Sequence, residues 1–361
     1  MEPAAKPVVK KINDNAESLD DFRKQLEQTG GKERDLFLQF PTVYIHNWED
    51  TDQYEVYIGE SGHVTERTRQ HYEAASDKNR WQHQLLARNA SLYIIGHEHF
   101  NRSMTMDIEN RLMLYMMSAE RVRKIHNMRG NPQRRYYPDR ETDGIFQMIW
   151  RKLRNDNGEL FPSESTIRDS AVFKASPLHR LTEEQENVKA CILERVTDAV
   201  RKNRTGQLIF IEGEAGTGKT VLNSSTFYEI FVLGEEKNTE PVTCSLIVNH
   251  DEQITVYRQI MQKLGITERY GEVVYKPTTF INHHTAAEPV DVAFVDEAHL
   301  LLTQGKQSYR ERISCRISWS GPGLRSSCLM RIRFSLQSSS GKPKFWTGTE
   351  SCQNAREIIL C

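Results

Sequence analysis

Gly213-Glu214-Ala215-Gly216-Thr217-Gly218-Lys219-Thr220 is the stretch on which the fold turns. It satisfies GxxxxGK[ST], follows the apolar run QLIFIEG and precedes a helical one. Glycines at these places let the backbone turn tightly, so that successive N–H groups face phosphate oxygens. A helix starting at once adds its positive end. Gly213, Gly216 and Gly218 then form the cradle, Lys219 reaches the β- and γ-phosphates, and Thr220 holds Mg²⁺. The expected cofactor is ATP with Mg²⁺.

Downstream, Asp291-Val-Ala-Phe-Val-Asp296-Glu297-Ala298-His299 is an apolar strand ending in two adjacent carboxylates. Asp296 is suited to the metal's water shell and Glu297 to orienting the attacking water. Between the two motifs lie the strand VTCSLIVNH, the helix DEQITVYRQIMQKLG and a poorly patterned stretch to Glu288. Upstream, LTEEQ opens a helix expected from Glu183 to Lys202. Strands alternating with helices imply a parallel sheet covered on both faces.

These residues carry a resemblance. LTEEQ looks like the glutamine motif of superfamily-one helicases, and Asp296-Glu297-Ala298-His299 looks like their second motif. With FKASPLHRLTEEQ, LIVNHDEQ and VDVAFVDEAHLLLTQGKQSYR, residues 170–310 resemble the Schlafen group-3-like DNA/RNA helicase domain. The resemblance implies a RecA-like P-loop ATPase, with Gln185 contacting adenine.

The chain has 361 residues, 48 basic and 49 acidic, for a formal net charge of −1, which excludes a globally basic coat for nucleic acid and leaves any such surface local. Its length favours two domains. No run of about 20 apolar residues is present and the N-terminus has no apolar signal core, so no membrane partner and a cytoplasmic location are expected; the helicase resemblance implies a bacterial source.

The front half holds a second constellation. Thr42-Val43-Tyr44 and Tyr57-Ile58-Gly59 lie in β-rich runs joined by a polar turn at residues 48–52. Arg67 and His71 follow at i,i+4 on one helix face. Glu109 sits in the helical run MDIENRLMLYMM, and Asn127 and Asn131 lie beyond it. Metal-assisted phosphodiester cleavage needs such a set: a carboxylate for the ion, phenol and imidazole for protons, arginine for the developing charge.

This pattern resembles the GIY-YIG endonuclease family over residues 38–138. The resemblance implies that Tyr44 and Tyr57 are the motif tyrosines and Arg67 and His71 their catalytic partners. Glu109 becomes the ligand of Mg²⁺ or Mn²⁺, and Asn127 or Asn131 the terminal asparagine. Thr42 stands where the family has glycine. The basic clusters ERTRQHY and RVRKIHNMRGNPQRRYYP suit phosphates and, through Tyr136 and Tyr137, bases. Nucleic acid is the expected partner, DNA ahead of RNA. The alternative is an ATP-binding regulatory protein whose front domain binds nucleic acid without cutting it.

The expected organisation is α/β throughout: a polar extension at residues 1–35, a small nuclease-like domain at 36–140, a linker and motor entry at 141–180, and a partial parallel-sheet P-loop core at 181–310. Within the front domain, helices are expected at residues 64–72, 79–88 and 106–123, and a strand at SLYIIGHE. Beyond Arg310 the composition changes: four of the six cysteines and the run Ser338-Ser339-Ser340 fall at 311–361. This predicts a shifted reading frame there, a disordered tail, a longer natural chain and weak strand separation. A true serine- and arginine-rich tail is the alternative, and the nucleotides around codon 310 decide between them.

Overall fold

The computed structural model describes residues 5–29, 31–78, 80–87, 89–127, 139–202, 204, 209–213, 216–236, 242–284, 290–297, 330–334 and 359–360. The chain forms two units, Met1–Lys174 with Gln262–Gly265, and Ala175–Met261 with Ile266–Cys361.

The first unit runs β1 (Val8–Asn13), α1 (Ala16–Thr29), α2 (Gly31–Leu38), β2 (Thr42–Asp50), β3 (Gln53–Ser61), α3 (Val64–Ala74), α4 (His83–Ala87), β4 (Ala90–Gly96), α5 (Arg102–Ser118), β5 (Val122–Ile125), α6 (Asp139–Asp156), α7 (Glu164–Asp169) and α8 (Ala171–Ala175). Its five-stranded sheet has the order β1-β4-β2-β3-β5. All neighbours are antiparallel except β3 and β5. The expected hairpin is β2–β3. It reverses through Thr51 and Asp52 at φ 49° and 62°, two successive left-handed residues that match the strands' twist. Leu19, Phe22 and Leu26 of α1 meet Phe37, Tyr44, Val64, Leu92 and Ile94 in one apolar cluster.

Four expectations are corrected. Residues 1–35 are part of the domain: β1 is an edge strand on β4, and α1 buries a stripe at i, i+3 and i+7. Lysines in β1 masked the strand, as charge on a sheet edge does. Residues 141–174 belong to the first unit, because α6 buries Ile145, Phe146, Ile149, Trp150 and Leu153 at helical spacing. Among the described residues of the expected helix at 79–88, His83–Ala87 is helical. The helix expected over residues 106–123 is α5, which starts at the Asn101 cap and ends at Ser118. Val122–Ile125 pairs with β3 instead, so β-branched residues in a tertiary ladder override helical continuation.

The second unit runs α9 (Glu183–Arg201), β6 (Ile209–Gly213), α10 (Lys219–Glu236), β7 (Cys244–Ile247), α11 (Asp251–Lys263), α12 (Ile266–Tyr270), β8 (Val274–Tyr275), α13 (Pro277–His283), β9 (Val292–Val295), β10 (Met330–Phe334) and β11 (Ile359–Leu360). The sheet order is β10-β6-β11-β9-β7-β8, every pair parallel. The parallel α/β expectation holds. The poorly patterned stretch contains α12, β8 and α13. Of the tail expected to be disordered, Met330–Phe334 and Ile359–Leu360 are strands of this sheet. The rest of 311–361 lies outside the described residues.

Candidate functional site

In the first unit, the strand period places Tyr44 and His46 on one face of β2, and the antiparallel register sets them opposite Gly59 and Tyr57 of β3. The Tyr44 ring lies directly across Gly59. A Cβ at residue 59 would come within 2.4 Å of Tyr44 Cζ, so glycine is required there by contact, not by backbone angle. Tyr44 is 1% exposed, and its hydroxyl lies 3.1 Å from His71 Nε2 on α3. Arg67, one turn earlier on α3, donates to Gln70 Oε1 at 3.0 Å, and its charge acts on both Tyr44 and Tyr57.

The electrostatics follow from this crowding. Burial raises the Tyr44 phenol well above its ordinary value, with Tyr57 adding and Arg67 opposing. The same pocket pushes His71 down to about 3, through burial first and then through His46 and Arg67. Burial works against the Arg67 charge, but its two tyrosine partners outweigh it and its pKa rises. At neutral pH the cluster therefore holds a neutral phenol, a neutral imidazole and one fixed guanidinium charge.

Glu109 on α5 is 2% exposed and acts electrostatically on Tyr44. Among the described residues no group of three or more His, Cys, Asp or Glu side chains is placed to hold a metal. Glu109 would supply one carboxylate, which fits Mg²⁺ or Mn²⁺ that keeps waters and takes phosphate oxygens. Asn127 braces the motif strand: its Oδ1 accepts from Ile58 N at 2.9 Å, and its Nδ2 donates to Ile58 O. Asn131, Tyr136 and Tyr137 lie outside the described residues.

Several residues of this cluster escaped the sequence reading. Asp14, 3% exposed, accepts from His46 Nδ1 at 2.6 Å and from the Tyr72 hydroxyl at 2.8 Å. His46 Nε2 is buried without a partner. The Trp81 ring lies flat on Tyr57, centroids 4.3 Å apart, and is parallel to Trp48. The signal was the alternation Tyr44, His46, Trp48 along one strand face. The described basic residues are largely neutralised within the unit: Arg69 pairs with Asp20, Arg121 with Glu159, and Arg123 with Asp50 and Glu55.

In the second unit, Gly213 ends β6, and Gly216 and Gly218 adopt φ of 81° and 78°, the region where side chains are strained. Lys219 and Thr220 open α10. Glu214 and Ala215 lie outside the described residues. Asp296 continues β9, its N–H donating to Ile247 O of β7 at 3.0 Å. Its Oδ2 accepts from the Tyr257 hydroxyl at 2.9 Å and its Oδ1 from Glu297 N at 3.2 Å. Tyr257, from α11, is another residue the sequence did not flag.

Burial raises the Asp296 carboxyl, with Glu297 adding and the Tyr257 bond and Lys219 opposing. A buried carboxylate beside a second one is the environment a divalent cation relieves, and Thr220 and Asp296 are the donors present for it. Glu297 sits at φ 53°, a strained conformation of the kind that collects at functional sites. Gln185, expected to read adenine, has its amide on the backbone: Oε1 accepts from Thr182 N, and Nε2 donates to Thr217 O at 2.9 Å. His299 lies outside the described residues.

The family described as Schlafen group 3, DNA/RNA helicase domain matches residues 206–316. An uncharacterized protein of Saccharomyces cerevisiae, YPL245W, is 32% identical over 137 residues, 34% of this chain and 29% of that protein. The chain thus spans under a third of that relative's length. No solved structure matches the chain. The second unit therefore carries a helicase-like segment, and the matches bring no bacterial source with them. Among the described residues no helix is long and apolar enough to cross a membrane.

Proposed function

We propose that the chain is an ATP-binding protein acting on nucleic acid, with a GIY-YIG-type endonuclease as its first unit and a RecA-like helicase motor segment in its second. The observation that supports the nuclease most is the Tyr44 ring seated on Gly59 with its hydroxyl on His71 and the Arg67 charge acting on it. Two strands and a helix converge there on one phenol, a costly arrangement for a purely structural core. Arg67 holds the scissile phosphate and its developing charge, while the Tyr44–His71 pair and Tyr57 handle protons. A Mg²⁺ or Mn²⁺ ion on Glu109 would supply Lewis-acid polarisation of the phosphate. In the second unit the glycine loop cradles the triphosphate, Lys219 contacts its β- and γ-phosphates, and Thr220 and Asp296 hold Mg²⁺. Glu297 orients the attacking water, and DNA is favoured over RNA.

The test is incubation of the full chain with end-labelled DNA and RNA in Mg²⁺ or Mn²⁺. Nicking is expected, abolished by Glu109→Ala or Arg67→Ala with Mg-ATP binding retained. A second reading, a regulatory protein that binds nucleic acid without cutting it, is favoured by the lack, among the described residues, of a group of three or more metal-holding side chains and by the paired arginines. Retention of nucleic acid without cleavage supports that reading.

A further inference from the structure

Gln185 is the third residue of α9 and half of a reciprocal cap. Thr182 Oγ1 accepts from Gln185 N at 3.2 Å while Gln185 Oε1 accepts from Thr182 N at 2.9 Å. This fixes the amide's orientation, since only its oxygen can take a backbone N–H. The nitrogen then faces the phosphate loop, where it donates to Thr217 O at 2.9 Å. It also lies 2.6 Å from where a Cβ on Gly218 would stand. Glycine at 218 thus serves two needs, the φ of 78° and the space for this amide.

A glutamine that reads adenine must present its oxygen and nitrogen together to the base edge, accepting from one ring-edge group and donating to another. Here the oxygen is held by the N-terminus of α9 and the nitrogen by the loop. We infer that Gln185 is a positioning residue for the phosphate loop: it ties the start of α9 to the Thr217 carbonyl and acts on the triphosphate, not on the base. The inference rests on the nucleotide-site reading above.

Two substitutions separate the roles. Gln185→Glu keeps an oxygen for Thr182 N, so α9 stays capped, but sets a carboxylate oxygen against the Thr217 carbonyl. Gln185→Ala removes both contacts. Titration calorimetry of the full chain with Mg-ATP and with Mg-GTP reads the result, alongside thermal unfolding. Both variants are expected to weaken ATP and GTP by the same factor, about three- to tenfold for one lost hydrogen bond, and Gln185→Glu to keep the wild-type Tm. Loss of ATP affinity more than threefold beyond the loss for GTP would show base reading and overturn the inference. Unchanged affinity in both variants would overturn the loop role. If the wild type binds neither nucleotide, the nucleotide-site reading itself fails, and this inference falls with it.

Discussion

Gly59 shows how a neighbouring ring, and not the backbone angle, can favour glycine. It has an ordinary strand φ, and what excludes other side chains is the Tyr44 ring lying on it. Gly59→Ala should cost about 1–3 kcal/mol by overpacking, read as a lower midpoint in urea. Combined with Tyr44→Ala, which removes the obstructing ring, the two losses should be less than additive. The tripeptides around Tyr44 and Tyr57 were legible in the sequence because chemistry and spacing coincide there. Asp14 was not, because its partners His46 and Tyr72 are 32 and 58 residues away. Asp14→Ala leaves the His46 and Tyr72 donors buried and unpaired, an expected cost of about 1–3 kcal/mol per donor, measured in the same way.

At the scale of elements, the β2–β3 turn is built from two left-handed residues that are not glycine, and Thr51 is β-branched. Thr51→Asn with Asp52→Gly should stabilise the hairpin by about 0.5–1 kcal/mol and raise Tm, because Asn-Gly suits this turn. The β3–β5 ladder carries a pH dependence. Against the cost of burial, bonds from His126 and Arg123 bring Glu55 down to about 2 from its usual 4.5. On α3, burial brings His71 from 6.5 to about 3. Both folded values lie below the unfolded ones, so the unfolded chain binds more protons in acid. Stability from His71 is complete above pH 6.5 and is lost as pH falls towards 3; that from Glu55 is complete above 4.5 and is lost towards 2. Urea midpoints should fall from pH 7 to pH 4, and His71→Gln should flatten the upper part of that slope. Sequence could not show this ladder, since residues 122–125 carry no strand signal without β3 beside them.

Across the whole molecule, the parallel alternation and glycine loop of the second unit were readable because each element carries its own periodicity and each motif is local. The extent of the first unit was not, because β1 and α6 acquire their burial only from elements far along the chain. Deleting residues 1–15 from the chain removes β1 and Asp14 together. The first unit is then expected to lose cooperative unfolding, seen as a separate low-temperature phase in calorimetry, and the proposed nicking should vanish with it. Deletion of a mere polar extension would leave both unchanged.

Trp81 gives the candidate nuclease cluster an optical handle. Its indole lies on Tyr57, 5.5 Å from the His46 ring and 5.1 Å from the His71 ring. A protonated imidazole at that range quenches indole emission, whereas a neutral one does so weakly. With the other tryptophans replaced by phenylalanine, the fluorescence of Trp81 therefore reports the charge state of His71, and a phosphate that changes that state would announce its arrival as a change in brightness.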